Sequence, residues 1–155
     1  MKTRIRPLIL SLLLVPGAAI AAGDSAPAAV TDPVLERVLG ATARQDWPAA
    51  QSILRDAVQK DPGNAEYHNQ YAYSIRKGAN PDMSLVFKHY NEALRIDPKH
   101  RGAHEYIGEA YLMVNNLPKA KEHLGALDKL CFFPCGEYTE LKNAIAAHER
   151  KQLAR

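Results

Sequence analysis

The 155 residues carry 20 Lys and Arg against 17 Asp and Glu, a formal charge of +3, with 46% hydrophobic residues and two cysteines. Three of the cations, Lys2, Arg4 and Arg6, stand at the very start, and beyond them 17 bases face 17 acids. That balance removes the electrostatic footprint of a nucleic-acid or anionic-membrane binder, so no nucleic-acid partner is expected.

The basic start is followed by an uncharged run from Pro7 to Ala22, broken by Pro16-Gly17 and ending in the small-residue pattern Ala19-Ile20-Ala21. This predicts a secretory signal peptide over 1–22, cleaved after Ala21 or Ala22, and a periplasmic or secreted mature chain. The run is too short and too interrupted for a membrane anchor, so no stable membrane insertion is expected after cleavage. Residues 23–31 are small and polar with a proline, the composition of a flexible leader. Helix signals begin at Thr31 or Asp32, either of which can cap free backbone amides, with Pro33 suited to a first helical position. From there helical patterns follow one another without sustained two-residue alternation, and Gly and Pro fall between them.

Two motifs return along the chain. Asp61-Pro62-Gly63-Asn64 and Asp97-Pro98-Lys99-His100 close similar helices 36 residues apart, and Asp46-Trp47-Pro48-Ala49-Ala50 reappears 70 residues later as Asn116-Leu117-Pro118-Lys119-Ala120. With two extra residues placed in Gly78-Ala79-Asn80-Pro81, the underlying period is 34, that of the tetratricopeptide repeat. The chain resembles that family, and in particular its small exported bacterial members, over about residues 31–134. The third unit matches its pattern with His104, Ile107, Gly108, Tyr111, Ala120, Leu124 and Leu127. The second matches with His68, Tyr71, Ala72, Ile75, Val86, Tyr90, Ala93 and Pro98. In the first unit Ala50, Leu54, Ala57 and Pro62 fit the second helix, whereas Arg37 stands among Val34, Val38 and Ala41 where an apolar residue is expected.

The resemblance implies an all-α, helical-hairpin repeat solenoid: units at 32–64, 65–100 and 101–134, and a capping helix in 135–155. No helix of such a stack buries its face alone, so each repeat completes the core of the next. The cap places Tyr138, Leu141, Ala144, Ile145 and His148 on one face at helical spacing. Cys131 and Cys135, in Cys-Phe-Phe-Pro-Cys, are expected to form a structural disulfide that fixes the cap's angle, with Phe132 and Phe133 packed beneath it. The competing reading is a copper or thiol-redox accessory function for the same two cysteines.

Six histidines raise the question of a metal, but His68 and His104 occupy equivalent repeat positions, which favours packing over ligation. His100 and His104 fall on either side of a helix start, and no third ligand follows by spacing. No metal site and no cofactor are expected. Motifs for phosphate binding, nucleophilic or zinc-dependent catalysis are missing, so the chain is read as non-enzymatic. Glu105 and Glu109 share a helical face and read as solvated surface or groove.

In the family the first helices of the units line a concave groove. The groove places map onto Asn69, Tyr73, Arg76 and Lys77 in the second unit and onto Glu105, Glu109, Leu112 and Met113 in the third. Asn69 and Tyr73 stand where a carboxylate clamp would need its Lys and Asn, so that ligand mode is not expected. A basic end, an acidic end and apolar side chains between them suit an extended or helical peptide. The expected function is a protein-interaction module, an adaptor, scaffold or assembly factor whose partner and oligomeric state the sequence leaves open.

Overall fold

A computed structural model describes residues 32–133 and 135–154. The expected signal peptide and flexible leader, Thr31 and the turn expected at Pro134 lie outside the described residues. Seven α-helices follow in order: α1 (Pro33–Ala43), α2 (Trp47–Lys60), α3 (Ala65–Lys77), α4 (Met83–Ile96), α5 (Arg101–Met113), α6 (Leu117–Leu130) and α7 (Gly136–Leu153). No strand occurs among the described residues, and none of these helices is long and apolar enough to cross a membrane.

The helix starts follow from the local sequence. Side chains of Asp32, Asp46, Asn64, Asp82, His100 and Asn116 each accept from a backbone amide of the first turn, satisfying donors that have no partner inside the helix. Pro33, Pro48 and Pro118 sit in first turns, where a missing N–H costs nothing. The turns differ between units. Gln45 and Asn115, 70 residues apart, both adopt φ 56°, a left-handed backbone that lets three residues reverse the chain between α1 and α2 and between α5 and α6. The middle unit uses five residues, Gly78–Asp82, for the same reversal, and the two extra residues of the 36-residue spacing lie there.

Consecutive helices pair as antiparallel hairpins, α1 with α2, α3 with α4 and α5 with α6, and each hairpin packs on the next. Alanines sit at the close crossings: Ala50, Ala72, Ala93, Ala110 and Ala120 have no exposed surface. Leu54, Tyr71, Ile75, Val86, Tyr90 and Ile107 join across helices in one core cluster. Each large apolar side chain so enclosed contributes roughly 1.5–3 kcal/mol by removal from water. Arg37 is exposed, not core, so the missing apolar residue of the first unit leaves its helix with only Val38 and Ala41 fully buried.

A second cluster, Ala120, Leu127, Leu141 and Ile145, attaches α7 to the third hairpin. Gly108 makes this possible, because a Cβ built there would lie 2.6 Å from Leu141 Cδ2 and 2.8 Å from Cδ1. Tyr138 packs against the same cluster, while Ala144 and His148 are half-buried. Cys131 caps the end of α6 and Cys135 precedes α7, and the two are joined by a disulfide with Cα atoms 5.8 Å apart.

The expectation that Phe132 and Phe133 pack beneath the cap is wrong: they are 96% and 75% exposed, edge to face on one another at 5.0 Å. The space under α7 is already filled by Leu127, Leu141 and Ile145, and the disulfide-closed turn carries its two phenylalanines on the outside.

Candidate binding groove

The first helices of the units, α1, α3 and α5, with α7 after them, present one face of the stack. Between α1 and α3 this face opens into a cleft of about 330 Å³ with Leu35, Val38 and Leu39 on its wall and Asp32, Glu36 and Glu66 among its polar lining. Leu39, 69% exposed, is a large apolar side chain turned to solvent at this place. Asp32 is occupied by capping α1 and by the Tyr67 hydroxyl at 2.7 Å, a bond that holds its carboxyl below the usual range. Glu66 is 2.8 Å from His100 Nε2. Despite the burial that opposes its ionisation, its hydrogen bonds to His100, Gln70 and Asn69 leave its pKa lowered, and the same contact raises that of His100.

Farther along, α3 and α5 run side by side in register. Tyr73 lies 4.8 Å from Tyr106 and 6.0 Å from Trp47. The Arg76 guanidinium sits 5.5 Å from the Tyr73 ring centre and 5.7 Å from that of Tyr106. It also binds Glu109 at 2.7 Å and donates to the Tyr90 hydroxyl at 3.3 Å. A cation stacked on two rings and held by a carboxylate is part of the wall, not a free charge offered to a ligand. The basic end expected from Arg76 and Lys77 therefore reduces to Lys77, which is exposed.

At the α5–α7 junction the balance is reversed. Glu105, expected as solvated surface or groove, is only 4% exposed. Its carboxyl is pushed up to about 8 by burial first, then by a hydrogen bond with Glu140 and by the charges of Glu140, Glu109 and Glu137. Protonation of Glu105 is thus strongly favoured over that of an ordinary carboxyl, because ionising it would place an uncompensated charge among other carboxylates.

The eight groove positions separate by what the fold does with them. Asn69 is 1% exposed, with its Nδ2 3.4 Å from Glu66 and its Oδ1 without a protein partner. Arg76 and Glu105 are buried as described, and Leu112 packs against the cluster under α7. Tyr73, Lys77, Glu109 and Met113 remain reachable, Met113 at 49% exposure. Residues of this face absent from the sequence-based set are Leu35, Leu39, Tyr106 and Glu140. Tyr106 is adjacent to Glu105 and Leu39 lies in the weakly matching first unit; Glu140 belongs to the cap, which repeat spacing does not cover.

Neither a family model nor a curated protein matches the sequence. Solved structures do resemble it. The TPR2B domain of yeast Sti1, in a complex with pHsp70, superposes with a TM-score of 0.67 at 17% identity, over 76% of this chain and 94% of that one. The Yersinia enterocolitica type III secretion translocator chaperone SycD gives 0.66 at 13% identity, over 77% and 83%. PcrH, in complex with the chaperone-binding region of PopD, gives 0.63 at 14%, over 78% and 90%. At such identities the likeness speaks to architecture alone, and it agrees with the capped, paired helices described above: the chain has the tetratricopeptide-repeat fold.

Proposed function

We propose that this protein is a non-enzymatic interaction module that holds a peptide segment of a partner protein along the face of α1, α3 and α5. The observation that carries this reading is the crowding at Glu105: the groove's own arginine is spent on Glu109, and the carboxylates of Glu105 and Glu140 are left facing each other. A Lys or Arg side chain from a partner would reach this pair through Glu140, whose side chain is exposed, and relieve the crowding, and an apolar side chain elsewhere on the segment would fill the cleft beside Leu35 and Leu39. The preferred ligand is thus an amphipathic segment with at least one cation. Structural neighbours include a TPR2B domain seen with pHsp70, PcrH seen with the chaperone-binding region of PopD and the chaperone SycD seen with a YopD peptide, which supports peptide binding as the use of the face.

The location belongs to the same proposal. Lys2, Arg4, Arg6 and the uncharged run after them favour export, and a bonded Cys131–Cys135 pair suits an oxidising compartment such as the periplasm. With both sulfurs committed to each other, metal ligation or thiol chemistry there would require prior reduction, which favours the groove as the working surface.

Binding of a cation should drive the Glu105 proton off. Calorimetric titration of an amphipathic Lys-containing peptide, selected on an array of exported-protein segments, should show proton release near pH 7 and tighter binding as the pH rises toward about 8. Glu105→Gln should weaken that peptide about 10-fold, the scale of one charged contact, and leave its Lys→Met analogue unchanged. Array hits dominated by acidic segments, or equal affinity in the Gln variant, would overturn the reading.

A further inference from the structure

Units two and three each hold a pair of histidines between their helices, and the two pairs are built alike. His68 of α3 meets His89 of α4 with Nδ1 atoms 2.8 Å apart, and His68 Nε2 lies 3.1 Å from the Pro62 carbonyl oxygen. His104 of α5 meets His123 of α6 at 2.9 Å, and its Nε2 lies 3.1 Å from the Pro98 carbonyl oxygen. The carbonyls belong to the recurring Asp-Pro turns. His68 and His89 are 5% and 7% exposed, and a tyrosine ring lies against the second histidine of each pair, Tyr71 at 4.7 Å and Tyr111 at 5.7 Å.

The geometry counts the hydrogens. A carbonyl only accepts, so His68 must carry its hydrogen on Nε2, and in the neutral ring its Nδ1 is then a bare acceptor. His89 fills the gap by donating from Nδ1. If the pair takes up one proton, on either ring, the gap still contains a single N–H: the charged ring donates from Nδ1 and the other, with its hydrogen on Nε2, accepts. A second proton places an N–H on both sides of a 2.8 Å separation, where neither has an acceptor and two cations face each other. The same reasoning applies to His104 and His123.

We propose that each pair is a one-proton latch between the two helices of its hairpin, and that acid opens both hairpins by forcing a second hydrogen into a gap with room for one. His89 and His123 are both pushed down to about 4, by burial first and then by the partner histidine. An unfolded histidine titrates near 6.5. A base whose charged form is disfavoured by folding stabilises the fold fully above its unfolded value, and the contribution is lost as the pH falls toward its folded value. The window is therefore about pH 6.5 to 4, with close to one extra proton taken up per pair on unfolding.

The surroundings of each pair are mixed. Lys88 opposes and Glu92 favours protonation of His89. From α2, Arg55 is held on the hydroxyl of Tyr71, and Glu66 and His100 are bonded to each other between α3 and the start of α5. Around His123, Glu122 favours and Lys119 opposes the charge, those two being paired at 2.6 Å, and Lys121 is paired with Glu149 of α7. Two groups act against the latches: His100 and Glu105 have raised values, so their contributions are complete in acid and fade as the pH rises. The total acid profile is a sum, and the latches are read only as a difference.

Asparagine at 89 and 123 supplies that difference, since its amide can present either N–H or oxygen to the partner ring and does not titrate. Denaturant unfolding of the full chain and of H89N/H123N, followed from pH 7.5 to 4, should diverge. The folding equilibrium of the unsubstituted chain should fall about tenfold more per pH unit for each latch between pH 6 and 4.5, while a constant offset from the altered packing leaves that slope untouched. Parallel curves would overturn the proposal. Should the double variant not fold, nitrogen shifts of the histidine rings in the unsubstituted protein decide it: at pH 5.5 each pair should hold a single extra proton at most, with the next entering below pH 5. Both rings of a pair fully protonated at pH 5.5 in the folded chain would sink it.

Discussion

The first unit and the two that follow solve the same packing problem with different chemistry. Where units two and three place His68 opposite His89 and His104 opposite His123, the equivalent positions of the first unit carry Val34 and Ile53, which border a common small cleft. The position accepts an apolar pair, so histidine there is not demanded by the fold. An apolar pair holds at any pH; a histidine pair holds by a counted number of hydrogens. The ends of the stack differ as well, since α7 covers the last hairpin while Leu39 of α1 is left in solvent beside the α1–α3 cleft.

The largest test of this contrast transplants the first unit's solution into the second. H68V/H89I should remove one latch, so that the loss of stability between pH 7 and pH 4 shrinks by on the order of 3 kcal/mol, the equivalent of moving one buried histidine from 6.5 to about 4. The check is the difference between denaturant midpoints at the two pH values; an unchanged difference would mean that the pair behaves as the apolar pair does.

Next in size is the covered end. Gly108→Ala drives a methyl into Leu141, which has no exposed surface and no room to retreat, and should cost about 1–3 kcal/mol by overpacking. A thermal melt of that variant beside Gly40→Ala reads the contrast, because at position 40 the nearest atom to a new Cβ is the exposed Arg44 side chain at 3.7 Å. Equal melting temperatures would show that α7 does not bind closely to the third hairpin. The smallest effect belongs to the aromatic turn: F132S/F133S should shift stability by less than about 0.5 kcal/mol, as expected for exposed side chains, and a larger loss in urea unfolding would mean that the turn packs after all.

Much of the architecture was legible before any coordinates. Helix starts are local chemistry, readable from Asp32-Pro33 or Asn116-Leu117-Pro118, and the buried faces follow from periodicity, as with Leu54, Tyr90 and Ile107. The groove was legible only as a set of positions. Arg76 and Glu105 were placed on the right helices, yet their states reversed the reading: the cation is consumed by Glu109, Tyr73 and Tyr106, and the carboxylate is buried against Glu140. His89 and His123 were passed over although their 34-residue spacing was available, because a histidine on a helix has no meaning until its partner is known.

The repeat, the helix caps and the all-helical class follow from residue order, and a Cys131–Cys135 disulfide was the favoured of two readings, because each depends on residues near one another in the chain or on a spacing that recurs. Packing in three dimensions sets which charges remain free, which carboxyl favours its proton and which histidines share one. Those properties depend on burial and on the distance between side chains 19 to 35 residues apart, and neither quantity is encoded in any single stretch of the chain.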